Sequence, residues 1–324
     1  MPLYLTYDTS FNNDGFGAQY QRIVGVFCLA KLIGAQYVHT PITLYEHLPI
    51  EYWKKIDDHF GLSKYNKPDN VLPVFDEVLT ISIPNKLEEL KRNNSNKNIL
   101  IKIGLPTNIL DGISESYDNV MEELRQIKRK IDLPEFKKDK TNISIHIRRG
   151  DVNANSNSDR YTDNNHYVKV IEKLNSKYAN CNILIFTQNS ENLDIFKQMK
   201  NVKLMNDIDI IETFEYLCNA DVLILSKSSL SYLSGLYSES SDIYMEQFWH
   251  SKLPRWKYID DLFDTKIESY RNIDTKFTVF MGILGIFLLF ILLNYKTQIY
   301  KNIKKYINMF SLHRKTRHLK SSHI

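Results

Sequence analysis

The feature that most constrains this chain is the alternation of short apolar runs with helical stretches across its second half. Residues 142–147 read as a strand, 166–178 as a helix, 182–187 as a strand, 209–219 as a helix, 222–225 as a strand and 229–237 as the start of a helix. Strands separated by whole helices return in the same direction, so the pattern predicts a parallel sheet with crossover helices. The N-terminus opens in the same rhythm. An apolar run at 2–7 leads into a turn-rich loop at 8–17, helical periodicity at 18–32 and a strand-like stretch at 34–38. Residues 45–135 read as mixed and mostly helical, with an amphipathic helix over 120–131 and a boundary at Leu133 and Pro134. The expected architecture is α/β, with an N-terminal domain over 1–135 and a C-terminal domain over 136–270.

Charge is distributed unevenly. The eight lysines and arginines of residues 296–324 face no acidic residue, which leaves 34 basic against 38 acidic residues elsewhere and a net charge of −4. An acidic body argues against nucleic acid as a partner. Residues 277–293 run 17 residues without a charge, flanked by Lys276 and by Tyr295 and Lys296. That length and flanking predict a C-terminal transmembrane helix followed by a basic tail over 294–324, with the lipid bilayer as a partner. No basic region followed by an apolar stretch opens the chain, so the expectation is a single-pass protein with its large domain in the cytosol; the charge bias of the tail argues for the luminal side instead. Cys28, Cys181 and Cys218 are widely spaced in apolar segments and read as buried thiols, and neither they nor the nine histidines show metal-ligand spacing.

The chemistry concentrates where the first strand of the second half ends, in His146-Ile147-Arg148-Arg149-Gly150-Asp151. Two arginines leaving a buried strand are costly unless they meet an anion or a carboxylate. If the strand persists they point to opposite faces, one toward a ligand and the other inward, with Asp151 as a candidate partner. Gly150 lets the backbone turn or a phosphate approach. The polar, Asn-rich segment 152–165 then forms a loop at the carboxyl edge of the sheet, where open α/β sheets bind ligands. After the strand at 222–225 comes Ser226-Lys227-Ser228-Ser229-Leu230-Ser231 at a helix start, which is either an anion site or an ordinary cap. Asp14, Asp151, Asp159 and Asp163 are loop carboxylates within reach of proton chemistry. The Asp-x-Asp of Asp207 and Asp209 reads as a helix-start turn.

Taken in order, the 146–151 run, Tyr167 in a helix, the strand ILIFTQ, the run from Glu212 to Asp221 and SKSSLSYLSGLY resemble the GDP-fucose-dependent fucosyltransferases, nearest the α-1,2 type, over residues 142–237. Gly15-Phe16-Gly17-Ala18-Gln19 is similar to that superfamily's Gly-x-Gly-Asn-Gln loop, with Ala18 in place of Asn, and Tyr232 stands where the α-1,2 type carries Trp. The resemblance implies a GT-B-like fold of two Rossmann-like domains facing a cleft, and inverting transfer of fucose from GDP-fucose to a glycan or glycoprotein acceptor without an obligatory cofactor or metal. It implies Arg148 on the β-phosphate and as the catalytic residue, and His146, Arg149, Gly150 and Asp151 around the nucleotide sugar. Ser228, Ser229 and Ser231 would line the phosphate pocket, Gly15, Gly17 and Gln19 would form the first-half loop, and Glu212 or Glu215 would read the guanine. The alternative class is a non-catalytic, membrane-tethered protein that binds a nucleotide sugar or glycan, supported by Ala18 and by the lack of an evident base.

Overall fold

The computed structural model describes residues 3–11, 14–65, 75–81, 97–104, 117–188 and 193–263, and Met1–Phe263 form one compact unit. Among the described residues the strands form two sheets, both wholly parallel. The first is ordered β2-β1-β4-β3, from β1 (Leu3–Tyr7), β2 (Gln36–Tyr37), β3 (Glu77–Ile81) and β4 (Ile99–Ile103). The second is ordered β10-β9-β8-β5-β6-β7, from β5 (Thr141–His146), β6 (Cys181–Thr187), β7 (Val202–Asn206), β8 (Val222–Leu225), β9 (Asp242–Met245) and β10 (Lys257–Tyr258). Counted from β5, that is the 3-2-1-4-5-6 order of dinucleotide-binding folds.

The central strands are apolar because helices cover both of their faces: β8, VLIL, is buried at every residue, and β6, CNILIFT, at all but one. Strands β3 and β4 are the extended part of the mixed segment 45–135, whose other described elements are helical. They are five residues each, and β4 alternates buried with half-buried positions, a pattern too short to dominate its charged surroundings. The helix expected over 120–131 spans Tyr117–Ile127. The segment 277–293 and the tail 294–324 lie outside the described residues, and among the described residues no helix is long and apolar enough to cross a membrane.

Helix α1 (Phe16–Ile33) is buried along most of its length and is stopped by Gly34, whose φ of 71° only glycine adopts without strain. It packs against β1 and also against the helix after β8, Ser229–Tyr237, so one core spans both sheets. Aromatic rings bind the halves together. Phe60 of α2 (Tyr52–Phe60) lies 4.1 Å from Tyr20, 5.0 Å from Phe214 and 5.3 Å from Tyr237 between ring centroids. Truncating such a buried ring costs about 3–5 kcal/mol. The other α-helices among the described residues are α3 (Tyr117–Ile127), α4 (Asn164–Lys177), the single turn α5 (Asp194–Lys197), α6 (Ile210–Cys218) and α7 (Ser229–Tyr237).

Candidate anion-binding site

Strands β5 and β8 are neighbours at the point where the order of the six-stranded sheet reverses, and their loops leave in opposite directions. A crevice opens there in folds of this order. In this chain it is a cavity of about 380 Å³. The end of β5 supplies His146, the loop after it Arg148, Arg149, Asp151 and Arg160, and the end of β6 Thr187 and Gln188. The loop after β8 supplies Lys227, Ser228 and Ser229, while the first half contributes Asp14, Gly15, Gly17 and Glu46. The fold therefore brings the 146–151 run, the serine run and the Gly15-x-Gly17 loop to one place.

His146 ends β5 and is tied to β8. Its Nδ1 lies 2.6 Å from Ser231 Oγ and 3.0 Å from Ser226 Oγ, and Ser226 N donates to Ser231 Oγ at 3.2 Å. Burial, helped by the charge of Arg148, pushes the imidazole down to about 3. It is therefore neutral at physiological pH, a fixed dipole on the cavity wall. Ser231 itself is fully buried and holds the ring from behind, outside the cavity lining.

The two arginines part company. Arg149 turns inward and donates to Arg148 O at 2.8 Å, Thr162 O at 2.8 Å and Asn164 Oδ1 at 2.5 Å, with its guanidinium 4.6 Å over Tyr161. It clamps the end of the 152–163 loop to the start of α4. Arg148 stays partly open to the cavity and pairs with Asp151 at 2.6 Å. Asp151 thus belongs to the outward arginine, while the inward one is held by carbonyl and amide oxygens. Gly150 allows the turn between them at φ 85°; a Cβ there would come 2.4 Å from Gln188 Oε1.

Two helix N-termini meet in the cavity. Neither Gly15 before α1 nor Ser228 before α7 places a side-chain cap, and the first intrahelical bonds come from Ala18 N and Tyr232 N. The amides of Phe16, Gly17, Ser229 and Leu230 are left without an intrahelical acceptor, and all four residues line the cavity. A Cβ on Gly17 would lie 2.4 Å from Leu230 N, so glycine is what lets the two ends touch. By contrast, Asp163 caps α4 and Asp209 caps α6 with their own carboxylates. Two uncapped helix N-termini beside Arg148 present free amides and positive potential, an arrangement chemically suited to an anion.

Other residues singled out in the sequence lie elsewhere. Gln19 is buried behind the loop, donating to Asp14 O at 2.5 Å and Leu44 O at 3.0 Å, so it shapes the Gly15 turn. Glu215 is buried against Lys128 at 2.5 Å and His59 at 2.8 Å, and Glu212 does not line the cavity. Of the loop carboxylates, Asp14 lines the cavity but pairs with Arg22 at 2.5 Å, Asp163 caps a helix and Asp159 is exposed. Sequence reasoning missed Arg160, Thr187, Gln188 and Glu46 as site residues, and named Lys227 only within the serine run. Gln188 and Lys227 carried a signal, since each directly follows a core strand or its first turn. Among the described residues no group of three or more His, Cys, Asp or Glu is placed to hold a metal ion.

A family model described as "Protein of unknown function (DUF354)" matches residues 60–237, just over half of the chain. No curated protein matches the sequence. A solved structure, the fucosyltransferase NodZ from Bradyrhizobium, is similar at 11% identity and a TM-score of 0.35, over 74% of this chain and 94% of that one.

Proposed function

We propose, from the premise that this chain belongs to the DUF354 family, that it is a glycosyltransferase whose cavity holds the diphosphate of a nucleotide sugar. The donor is GDP-fucose, and the sugar passes with inversion to a glycan or glycoprotein acceptor, in a GT-B-like arrangement of two α/β halves. The observation that carries the reading is the meeting of two helix N-termini without side-chain caps, at Phe16-Gly17 and Ser229-Leu230, with Arg148 in one cavity. A diphosphate presents two adjacent anionic centres, which matches two helix ends held together. As the sugar bond breaks, charge grows on the departing phosphate oxygen, and fixed amides with a guanidinium stabilise that charge without reorganising. The likeness of the 146–151 and 226–231 runs to fucosyltransferase motifs supports fucose and guanine. Membrane attachment through residues 277–293 belongs to the same proposal and rests on that apolar run.

The test is to present the full chain with GDP-fucose and, in parallel, with GDP-mannose and UDP- and CMP-sugars, each with a disaccharide acceptor. GDP-fucose consumption with a fucosylated product is expected, and Arg148→Ala is expected to abolish it with the fold intact. Tight GDP binding without turnover would sink the enzymatic claim and leave a nucleotide-sugar-binding protein.

A further inference from the structure

Arg160 differs from the other cations of the cavity. Arg148 pairs with Asp151, Lys227 faces Glu246 at 3.8 Å, and Arg149 spends its guanidinium on two carbonyls and Asn164. Among the described residues, the Arg160 side chain has neither a carboxylate nor a hydrogen-bond acceptor, although it lines the cavity. Its guanidinium lies 4.6 Å over the ring of Trp249, and that indole is itself 47% exposed and packed on Phe248 at 3.6 Å between centroids. A guanidinium resting on an aromatic face keeps its N–H groups available in the plane of the fork.

The surroundings fix which part of the cavity it serves. Glu246, almost fully buried, accepts hydrogen bonds from Thr162 Oγ1 and from Tyr167 Oη, the latter at 2.7 Å. Thr162 is two residues beyond Arg160, Trp249 is three beyond Glu246, and Lys227 immediately precedes the Ser228 that opens α7. One carboxylate therefore joins the loop carrying Arg160, the segment carrying Trp249 and the approach to the α7 N-terminus.

We infer that Arg160 is a second phosphate-binding arginine, held on Trp249 until the terminal phosphate of a nucleoside diphosphate takes its N–H groups. The inference rests on the nucleotide-sugar reading above. In this arrangement Arg148 and the helix ends hold the diphosphate from one side, and the 152–163 loop brings Arg160 to its outer phosphate. Glu246 is a positioning residue, acting through Thr162 and Lys227.

The experiment compares GDP with GMP by calorimetric titration of the full chain, in wild type, Arg160→Ala, Arg160→Lys and Trp249→Phe, with indole fluorescence followed in parallel. Removing a charge-assisted hydrogen bond to the outer phosphate alone lowers GDP affinity by about 10- to 100-fold and leaves GMP unchanged. Arg160→Ala should therefore collapse the GDP-to-GMP preference, and Arg160→Lys should recover part of it. GDP but not GMP should change the fluorescence of the wild type, and Trp249→Phe should remove that change. An unaltered preference in Arg160→Ala, or an equal loss for both nucleotides, overturns the assignment. So does normal GDP binding with a selective loss of activity on an acidic acceptor sugar, because Arg160 would then serve the acceptor. If the wild type binds neither nucleotide, the nucleotide-sugar reading falls and takes this inference with it.

Discussion

Two polar clusters join the halves of this molecule, and they are built on opposite principles. The first, around Glu215, closes on itself: the carboxylate takes both oxygens to Lys128 at 2.5 and 2.6 Å and one to His59 at 2.8 Å, with Asn219 donating at 3.1 Å. The second stays open, because Gly17, Leu230 and Arg148 line the cavity at the carboxyl ends of β5 and β8. A closed cluster fixes geometry at no gain in reactivity. An open one leaves helix amides without an intrahelical acceptor, which under the proposed reading are what a ligand takes.

The largest expected difference between them is in stability. Glu215→Ala strands Lys128, itself 9% exposed, without a counter-charge, and should cost about 3–5 kcal/mol in chemical denaturation. Arg148→Ala breaks a pair open to solvent, which should cost less than about 1 kcal/mol while abolishing GDP binding. A collapse of stability in Arg148→Ala, or a mild effect of Glu215→Ala, would erase the contrast.

Next in size is acid. His146 is held down at about 3 and His250 at about 4, both by burial foremost, so neither takes up a proton between pH 6.5 and 4.5 in the folded chain, whereas the unfolded chain does. Stability should therefore be complete above about pH 6.5 and fall below it by about 1.4 kcal/mol per pH unit for each histidine. Burial alone would raise the carboxyl of Glu215, but the hydrogen bond from His59 and the charge of Lys128 outweigh it and hold it low. Its contribution is present above about pH 4.5 and is lost only on further acidification. The histidines and Glu215 thus titrate in separate windows, and His146→Asn should halve the slope of the upper one, His250 supplying the rest, and leave the lower one unchanged.

Gly17→Ala comes third. The added methyl meets the backbone of Leu230, so separating the helix ends should cost about 1–3 kcal/mol and weaken GDP binding at least about tenfold, read by thermal unfolding and titration. The smallest effect belongs to Glu212→Gln, half-buried and outside the cavity lining, expected within about 0.5 kcal/mol and without change in GDP affinity.

Much of the six-stranded sheet was legible because its central strands are short apolar runs bounded by turn residues; β8 and α7 fall where their patterns end. The edge strand β7, VKLMN, and the four-residue β9 were not, since an edge position tolerates Lys203 and weakens the apolar signal. The site was legible in part for a similar reason. Arginines at the end of a buried strand announce themselves, but partners remote in sequence decide their roles. Arg149 meets Thr162 and Asn164, Glu215 meets His59 156 residues away, and Arg160 sits in a polar loop whose only sequence signal is its composition.

The most direct measurement is a calorimetric titration of inorganic pyrophosphate into the wild type and Arg148→Ala, followed by GDP. Two helix ends and a guanidinium converging on one cavity predict that pyrophosphate binds at one site per chain, competes with GDP and no longer binds the variant. GDP binding that pyrophosphate leaves untouched, or pyrophosphate binding that Arg148→Ala retains, would contradict the account.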